Sequence, residues 1–396
     1  MKKVLFITSL YYPHVGGIET MITELSKFYR SQGINSVILT KKWPTTLPSH
    51  SYYNGVEIYR VISARKKEEF FELIKWLKKN DSKIKADIVH IIGVRRPLPL
   101  IGLMLGRLWN VPVISTIAGG DIPDKYDPQP GIIWEEGKEL IPNVLRQSDD
   151  VNCVSKYLGR DLKKLLPDIK KIGTLYAGID LSIINKAKKE KINNQYIFSL
   201  RRLDPSKGID ILIKAYNLIK NRFPKLYLVI SGEGHEEQKL KKLVAKYHLS
   251  ERVIFTGTVK FKKGIVFLKG AILTVVPSLS EGGGLVNIEA QAAGCPVIAS
   301  RVGGIPEYVK DGKSGVLFES GNYKELAKKI SQVIDDKRLR EKIIKGGYEY
   351  AKSFDWNKLA PQYIELYSKN INRYKSSSSF NPWSDLTSDL WNKLKN

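Results

Sequence analysis

Two glutamates in a glycine-rich stretch are the residues best suited to chemistry. The stretch "SEGGGLVNIEA" occupies positions 280–290 and places Glu281 and Glu289 with seven residues between them. Three glycines follow the first glutamate, although a glycine costs about 0.5–1 kcal/mol relative to alanine inside an element. Glycines leave the backbone bare, so its amides can approach a ligand. A carboxylate among such amides is a good acceptor for two vicinal hydroxyls, as on a hexose or a ribose.

Two cations occupy another loop, in the stretch "FSLRRLDPSKGID". Arg202 and Lys207 lie at the end of a predicted strand and in the loop after it, where doubly wound sheets bind ligands. A charge-assisted hydrogen bond contributes about 1.5–3 kcal/mol, and two of them suit a diphosphate. A solvated basic loop is the alternative in so basic a chain. With the two carboxylates, these cations indicate a nucleotide sugar.

A glycine pair follows the first predicted strand, in "YYPHVGGIE". Gly16 and Gly17 precede a predicted helix, whose first backbone amides and dipole favour an anion. The pair therefore indicates a close approach of a ligand to the backbone, although an ordinary tight turn would also use it.

The elements that must position these residues alternate in the manner of an α/β protein. Continuous apolar runs, which are typical of buried parallel strands, alternate with segments of helical periodicity. The first series of predicted strands is "VLFITSL", "SVILT", "ADIVHIIG", "VPVISTIAG", "DVNCVS" and "IGTLYAGI"; the second is "YIFSL", "LYLVISG", "VIFTGT", "ILTVVPS", "PVIAS" and "GVLFES". Two doubly wound, Rossmann-like domains in tandem, with a cleft between them, are expected.

The boundaries follow from changes in composition. A polar, lysine-rich stretch without strand character separates the two series. We expect an N-terminal domain over 1–180, a C-terminal domain over 181–355, a C-terminal helix over 356–375 that packs back on the N-terminal domain, and a linker with an amphipathic tail over 376–396.

Charge and cysteine content limit the partners and the compartment. The chain has 396 residues and a formal net charge of +25, which favours anionic partners. Charge is the one feature that favours nucleic acid, and the sequence contains none of the recognition motifs, so no nucleic-acid partner is expected. Cys153 and Cys295 are too few for a disulfide framework and fit a reducing, cytoplasmic compartment. The longest apolar run, 97–106, is too short to span a bilayer.

Five motifs in order resemble the retaining glycosyltransferases of family four. The central one reads "SEGGGLVNIEAQAAGCPVIAS", and around it stand "PHVGGIE", "RLDPSKGID", "SGEGHEEQKL" and "GGIPEYVKDGKSGVLF". The likeness covers about residues 1–370. It implies the GT-B fold, in which two Rossmann-like domains face each other across a cleft.

The resemblance implies a role for each matched residue. Glu289 would bind the ribose, Glu281 the donor hexose, and Arg202 and Lys207 the diphosphate. The catalytic set implied is Glu281, Arg202, Lys207 and Asp121. The substrate-binding set is Gly16, Gly17, Gly119, Arg202, Lys207, Gly232, Glu233, Val259, Glu281, Gly283, Gly284, Leu285, Val286 and Glu289, with the base near Gly232, Glu233 and Val259.

Three positions depart from the family pattern. Ala118 stands where the family usually has a histidine that contacts the hexose, and this leaves the identity of the donor open. Gly283 replaces an aromatic residue, and Arg201 replaces a common glycine. None of these changes removes the implied phosphate or ribose contacts.

The implied reaction is transfer of a hexose from a UDP- or GDP-sugar to a glycan or a lipid-linked acceptor, with retention. The family is thought to react on one face of the sugar, with the leaving phosphate helping to deprotonate the acceptor. No metal and no cofactor is expected, since the sequence has no Asp-x-Asp motif. A nucleotide-sugar epimerase on the same fold and a non-catalytic nucleotide-sugar-binding protein are the alternatives.

A basic amphipathic stretch suggests a membrane surface. The segment "ARKKEEFFELIKWLKK" combines lysines and arginines with an apolar face, and the apolar run "PLPLIGLMLG" follows it. Such a helix suits an anionic headgroup layer, and Trp383 and Trp391 of the tail could add to it. We expect peripheral association with the inner face of the cell membrane; a helix packed into the core is the alternative. The apolar face consists of Phe70, Phe71, Leu73, Ile74, Trp76 and Leu77.

Overall fold

A computed structural model describes residues 1–14, 16–61, 67–94, 98–122, 140–188 and 195–376. The chain divides into two compact units. Unit 1 comprises the described residues up to Ala177 together with the last helix, which begins at Trp356. Unit 2 runs from Gly178 to Asp355. Of the tail predicted over 376–396, only Ser376 is described, as the last residue of that helix.

Strands and helices alternate along both units, with two exceptions. The strands are β1 (Lys3–Ile7), β2 (Asn35–Lys41), β3 (His50–Tyr53), β4 (Val56–Val61), β5 (Ile88–Ile92), β6 (Val113–Ile117), β7 (Asp150–Cys153), β8 (Ile172–Thr174), β9 (Gln195–Leu200), β10 (Leu226–Ser231), β11 (Val253–Phe255), β12 (Leu273–Val276), β13 (Val297–Ser300) and β14 (Val316–Phe318). The helices are α1 (Gly17–Ser31), α2 (Lys67–Ile84), α3 (Leu98–Trp109), α4 (Leu140–Gln147), α5 (Lys156–Leu165), α6 (Leu181–Lys186), α7 (Ile209–Ile219), α8 (Glu237–Lys246), α9 (Phe261–Gly270), α10 (Leu285–Ala292), α11 (Ile305–Tyr308), α12 (Tyr323–Asp335), α13 (Lys337–Ala351) and α14 (Trp356–Ser376). The exceptions are that β2, β3 and β4 follow one another and that the described chain finishes with α12, α13 and α14.

Unit 1 is built on a mostly parallel sheet. Within the described residues its strand order is β3-β4-β2-β1-β5-β6-β7-β8, and only β3 runs antiparallel to its neighbour. The six strands predicted for this part of the chain are all present. The hairpin β3–β4 was not predicted, although Asn54 and Gly55 form its turn with positive φ of 47° and 70°, a sequence signal typical of tight hairpins.

The last helix, α14, packs on unit 1 through a buried polar network. His90 on β5 shares hydrogen bonds with the Tyr367 hydroxyl at 2.5 Å and with the Thr116 hydroxyl at 2.7 Å. Burial lowers the pKa of His90 to about 3, so its ring is neutral at physiological pH. The Tyr363 hydroxyl donates to the carbonyl of Tyr176 at 3.0 Å. These contacts tie α14 to the sheet of unit 1.

The apolar faces of α2 and α3 belong to the core of unit 1. Leu73 and Leu77 of α2 are buried, and Ile74 and Trp76 pack against the same cluster. In α3 the side chains of Leu98, Ile101 and Leu105 are buried. The expectation that this apolar surface faces a membrane is therefore wrong for these residues, because the sheet of unit 1 covers them. Phe71 is 37% exposed; the side chain of Phe70 lies outside the described residues.

Unit 2 contains a second, wholly parallel sheet. Among its described residues the strand order is β11-β10-β9-β12-β13-β14, and all six predicted strands are present. The chain winds outward from β9 to β11 on one side and from β12 to β14 on the other. The switch in direction therefore lies between β9 and β12, where open α/β sheets form their ligand crevice. No described helix is long and apolar enough to cross a membrane.

Candidate functional site

Three predicted site residues lie in loops at the carboxyl edge of the unit 2 sheet. Arg202 and Lys207 follow β9, whereas Glu281 follows β12. The two strands are neighbours in the sheet, with Leu273 opposite Ile197 and Thr274 opposite Phe198. Their loops therefore meet at the switch point, although about 80 residues of sequence separate them.

Glu281 lies at the centre of a buried ion-pair cluster. One of its oxygens accepts from Nη2 of Arg201 and, at 3.3 Å, from Nζ of Lys207. The same arginine nitrogen donates to the hydroxyl of Ser278 at 2.7 Å. The side chains of Arg201, Lys207 and Glu281 are only 6%, 14% and 16% exposed. Three charged groups are thus held together with little water, which strengthens their mutual attraction.

The two cations decide the charge state of Glu281. Burial by itself would raise the pKa of the carboxyl, but the charges of Arg201 and Lys207 and their hydrogen bonds outweigh burial and lower it to about 2. Burial lowers the pKa of Lys207, and the neighbouring Glu281 charge opposes that effect. Glu281 is therefore an ionised acceptor throughout the physiological range.

The carboxyl of Glu289, on α10, has a different environment from that of Glu281. It is half-buried, and within the described part of the chain no side-chain hydrogen bond or ion pair holds it. Burial raises the pKa of Glu289 to about 7, and the charge of Arg201 opposes this only weakly. A group whose pKa is shifted without a protein partner is a candidate for ligand contact.

Glycines bring the loops of this edge into backbone contact. Gly303 has φ +57°, and a Cβ there would come within 1.9 Å of the Glu281 carbonyl oxygen. A Cβ added to Gly232 would likewise come within 1.8 Å of the Arg201 carbonyl oxygen. Any larger residue would push away the loops that carry the ion-pair cluster. These glycines therefore leave backbone amides accessible, and they also let the loops pack closely enough to position the charged side chains.

The helix α10 begins beside Glu281. Gly284 precedes its first residue with φ 135°, and its carbonyl accepts from the Asn287 backbone at 2.9 Å and side chain at 3.0 Å. Gly283 is buried against Tyr308, whose hydroxyl would lie 3.4 Å from an added Cβ. Leu285 and Val286 form the first turn, so their amides lie at the positive end of the helix dipole.

Arg202 lies apart from this cluster. Its side chain is 70% exposed and pairs with Asp204 at 2.9 Å. Arg201, which the sequence analysis treated only as a departure from the family pattern, is the arginine that contacts Glu281. Neighbouring residues of an extended chain point to opposite faces. A pair of arginines at the end of a strand was the only available signal that one of them turns inward.

The residues predicted near a base come together in a neighbouring pair of loops. The Glu233 side chain accepts from the amide of Thr258 at 3.1 Å, so it connects the loop after β10 with the loop after β11. Gly232 belongs to the first of these loops, and Val259 is half-buried in the second.

The remaining predicted residues belong to unit 1. Asp121 is buried, and its two oxygens accept from the amides of Ala118 at 2.8 Å and Val94 at 3.2 Å. It thereby connects the loops after β5 and β6, beside the exposed Gly119. Gly16 precedes α1 and Gly17 begins it. Within the described ranges of both units, no group of three His, Cys, Asp or Glu is arranged to hold a metal ion.

Family models match nearly the whole chain. Residues 15–183 match the model described as Glycosyltransferase Family 4, and residues 182–350 match Glycosyl transferases group 1. The chain is 30% identical over 376 residues to an uncharacterized glycosyltransferase of Methanocaldococcus jannaschii, covering 93% of this chain and 99% of the relative. It is 26% identical over 395 residues to a D-inositol 3-phosphate glycosyltransferase of Pseudarthrobacter chlorophenolicus, covering 91% of each.

Solved structures confirm the fold. Sucrose-phosphate synthase from Thermosynechococcus elongatus matches with a TM-score of 0.78 at 20% identity, covering 93% of this chain and 99% of that one. The Anabaena protein HepE, in complex with UDP-glucose, matches with a TM-score of 0.76 at 19% identity, covering 93% and 100%. Both predicted Rossmann-like domains of the GT-B fold are thus confirmed. From the family models and the archaeal relative together, the chain belongs to the family four glycosyltransferases, with a group 1 C-terminal domain.

Proposed function

We propose that the protein is a retaining hexosyltransferase that moves a hexose from a nucleoside-diphosphate sugar to a glycan or lipid-linked acceptor. The observation that carries this proposal is the cluster of Glu281, Arg201 and Lys207 at the switch point of unit 2, in a chain of this family. An ionised carboxylate held by two cations is a preorganised acceptor for sugar hydroxyls, and it needs no reorganisation when the sugar reacts.

The donor is proposed to lie along the carboxyl edge of unit 2. Glu281 would accept from the hydroxyls of the hexose and Glu289 from those of the ribose. Arg202, whose side chain is exposed and ion-paired with Asp204, would exchange that partner for the diphosphate, which Lys207 and the amides of the first turn of α10 would also bind. That turn and its approach comprise Gly283, Gly284, Leu285 and Val286; the base would lie beside Gly232, Glu233 and Val259, which the contact between Glu233 and Thr258 brings together.

A positioning role for Asp121 is favoured by its contacts. Both of its oxygens accept backbone amides, so the carboxylate is already used and is poorly placed to take a proton. We propose that it supports the Gly119 loop.

Catalysis would rest on charge and orientation. As the bond to the diphosphate breaks, negative charge grows on the leaving phosphate and positive charge on the anomeric carbon. Arg202, Lys207 and the amides of α10 would stabilise the former, and the leaving phosphate would take the acceptor proton on the same face of the sugar. We assign no carboxylate nucleophile, so retention is proposed to occur in one step on that face.

The donor is proposed to be a UDP- or GDP-sugar and the reaction to require no metal. The HepE structure holds UDP-glucose, which favours a uridine nucleotide. The name of the Pseudarthrobacter relative includes a phosphorylated polyol, so an acceptor with a phosphate is reasonable. Family membership makes the epimerase alternative less favoured. A non-catalytic binding protein is the second alternative, because Ala118 brings no imidazole to the acceptor side.

A panel of UDP- and GDP-hexoses tests this proposal. One of them should raise the melting temperature, because a ligand at 100 times its dissociation constant adds about 2.7 kcal/mol of stability. The same sugar should release its nucleotide in the presence of an acceptor and EDTA, and NMR of the first-formed product should show the donor's anomeric configuration. Stabilisation without turnover would favour the binding protein. Turnover lost with EDTA and restored by manganese would contradict the metal-free mechanism.

A further inference from the structure

A pair of titratable side chains in unit 1 has no part in the proposed donor site. His14 lies in the loop after β1, and Glu19 lies in the first turn of α1. The Glu19 carboxylate accepts a hydrogen bond from Nδ1 of His14 at 2.9 Å. The side chain of Glu19 is 12% exposed and that of His14 is 51% exposed. A nearly buried carboxylate therefore holds an imidazole that a ligand can reach.

The pair lies beside the switch point of the unit 1 sheet. On one side of β1 the chain continues through β2 and β4, whereas β5 begins the series that continues through β6, β7 and β8 on the other side. Because β1 and β5 are neighbours, the loops after them flank the position where open α/β sheets bind ligands. A Cβ added to Gly93, after β5, would come within 3.0 Å of Ile18 in the first turn of α1, so these segments meet.

The pair also borders the glycines at the start of α1. A Cβ added to Gly16 would come within 2.6 Å of Oε2 of Glu19 and 3.6 Å of Cε1 of His14. A ligand that approaches the bare backbone at Gly16 would therefore be close to the imidazole.

Three hydrogen bonds fix the loop that carries His14. The amide of His14 donates to the carbonyl of Tyr11 at 3.3 Å. The hydroxyl of Tyr11 shares a hydrogen bond with that of Thr23 on α1 at 2.7 Å, and Nη2 of Arg60 on β4 donates to the carbonyl of Tyr12 at 2.6 Å. A loop that is held before a ligand arrives loses little conformational entropy on binding.

The carboxylate decides which nitrogen of His14 a ligand meets. Because Glu19 takes the proton of Nδ1, the ring in its neutral form presents Nε2 as a hydrogen-bond acceptor. An accepting nitrogen suits a hydroxyl group, which has a proton to donate.

The other histidines are placed differently. The chain has five histidines, and the structure describes all of them. His90 is fully buried, and His50 lies on the outermost strand, β3, where it pairs with Glu57. The remaining two belong to unit 2. His14 is therefore the histidine that can offer an imidazole to a ligand at the switch point of unit 1.

We propose that His14, positioned by Glu19, binds a hydroxyl group of the acceptor through Nε2. This inference rests on the proposed transferase function and adds an acceptor contact on unit 1, where Ala118 brings no imidazole. The bound hydroxyl is not the attacking one, since the proton of the attacking hydroxyl goes to the leaving phosphate. The acceptor therefore has at least two hydroxyls, as a sugar or a cyclic polyol does.

Acceptor kinetics of the full chain test this contact. The donor is the UDP- or GDP-hexose that the panel identifies, and the acceptor probes are glucose, myo-inositol and D-inositol 3-phosphate. His14→Leu removes the ring nitrogens, whereas His14→Gln keeps an oxygen that can accept near the position of Nε2. Glu19→Gln leaves the ring but removes the charge that holds its Nδ1 proton. The matched control is His50→Leu, because His50 is 45% exposed and pairs with a carboxylate at 2.9 Å in the same unit.

His14→Leu should raise the KM of the best acceptor probe about tenfold, as for loss of one hydrogen bond, and change the Kd of the donor by less than about twofold. His14→Gln should stay within about twofold of the wild-type KM, and Glu19→Gln should lie between the two. His50→Leu should leave KM unchanged. The melting temperature of each variant shows whether it is folded.

An unchanged KM in folded His14→Leu, an equal rise in His50→Leu or in His14→Gln, or no transfer to any of the three probes would overturn the proposal. If the donor is still bound and hydrolysed in those cases, the proposed function stands and only the acceptor contact fails. A panel in which no donor is turned over would remove both.

Discussion

Glu281 and Glu289 come from one stretch of chain but differ in charge state near neutral pH. Burial opposes ionisation in both, yet in Glu281 the cations Arg201 and Lys207 outweigh it and bring the pKa to about 2. For Glu289 burial prevails, and the pKa is about 7. An ionised carboxylate only accepts hydrogen bonds, whereas a protonated one also donates. The two glutamates are therefore suited to different contacts.

The affinity for the donor nucleotide should depend on pH through Glu289. If the ionised carboxylate accepts both ribose hydroxyls, affinity should rise as pH approaches 7 and level off above it, by up to about tenfold per pH unit. Stability should change in the opposite direction. The folded-state pKa lies above the ordinary value of 4.5, so the unfolded chain loses its proton first and stability falls between those two pKa values.

Glu289→Gln should abolish both trends, because the amide does not titrate. Nucleotide titration calorimetry and urea unfolding at several pH values measure them. A variant with the wild-type pH profile in both experiments would show that another group titrates in this range.

Replacing Arg201 by methionine should mainly lower the stability of the protein, whereas the same replacement of Arg202 should mainly weaken nucleotide binding. Arg201→Met leaves the buried Glu281 with Lys207 alone, and breaking a buried pair typically costs about 3–5 kcal/mol. Arg202→Met removes an exposed side chain and should alter stability by less than about 0.5 kcal/mol. It should nevertheless weaken nucleotide affinity about tenfold or more, through a lost charge-assisted hydrogen bond to the diphosphate.

Urea unfolding and nucleotide titration of the two variants separate these effects. Each variant serves as the control for the other, since both remove one arginine at adjacent positions. Equal destabilisation by the two changes would contradict the burial of Arg201, and unchanged nucleotide affinity in Arg202→Met would remove Arg202 from the proposed phosphate site.

At the scale of elements, backbone hydrogen bonds connect the loops at the carboxyl edge of the unit 2 sheet. The amide of Gly304 donates to the carbonyl of Glu281 at 2.9 Å, and the amides of Leu279 and Ser280 donate to the carbonyl of Ser206 at 2.8 and 3.2 Å. The loop with the first glutamate is thus fixed on one side by the loop after β13 and on the other by the loop after β9. These loops are far apart in the sequence, and they meet because the parallel strands before them end at the same edge of the sheet.

Gly303→Ala should cost more than the same change at Gly294. Both glycines have positive φ, at +57° and +73°, but only at Gly303 would a Cβ meet backbone, since nothing lies within 4 Å at Gly294. Strain alone should make Gly294→Ala cost about 1 kcal/mol. The collision with the Glu281 carbonyl should add at least about another 1 kcal/mol at Gly303 and displace Glu281.

Urea unfolding measures the two free energies, and donor turnover reports the displacement. Gly294→Ala should retain turnover. If Gly303→Ala unfolds at the same urea concentration as Gly294→Ala, the loop moves freely and does not position the carboxylate.

The strands could be predicted from the sequence because they are buried on both faces. "YIFSL" and "ILTVVPS" are continuous apolar runs, and β9 and β12 lie in the middle of the sheet. The hairpin β3–β4 was missed because β3 is partly exposed and polar, and because Glu57 and Arg60 interrupt the apolar run of the largely buried β4. Its Asn54-Gly55 turn was the available signal.

At the scale of the whole molecule, net charge and helical periodicity predicted the structure less well than the apolar runs predicted the strands. A charge of +25 indicates anionic partners without saying where they bind. The amphipathic pattern of α2 is the same whether its apolar face meets a membrane or a sheet, and only the tertiary structure shows that Leu73 and Leu77 are core. The pairing of β9 with β12 also determines that Arg201, and not Arg202, faces Glu281. No local sequence pattern encodes that pairing.

Association with an anionic membrane surface remains a proposal that depends on surface charge. If it occurs, the protein should float with anionic vesicles at low salt and detach at about 1 M salt, where the Debye length falls to about 3 Å. Neutral vesicles are the control and should leave it unbound. Binding that persists at high salt would indicate apolar insertion in place of charge attraction, and no flotation at low salt would favour a soluble acceptor.

The central claim is that hexose transfer takes place at the Glu281 cluster, with Glu289 serving the nucleotide. Steady-state kinetics with the donor found in the panel test it through Glu281→Gln and Glu289→Gln, with the unfolding midpoint of each variant measured to exclude misfolding. Glu281→Gln should lower kcat by about 10²–10³, as for loss of a preorganised group at the reacting centre, and leave the Kd of the nucleotide nearly unchanged. Glu289→Gln should raise that Kd about tenfold or more and largely keep kcat. Wild-type kinetics in both folded variants would place the reaction elsewhere in the molecule.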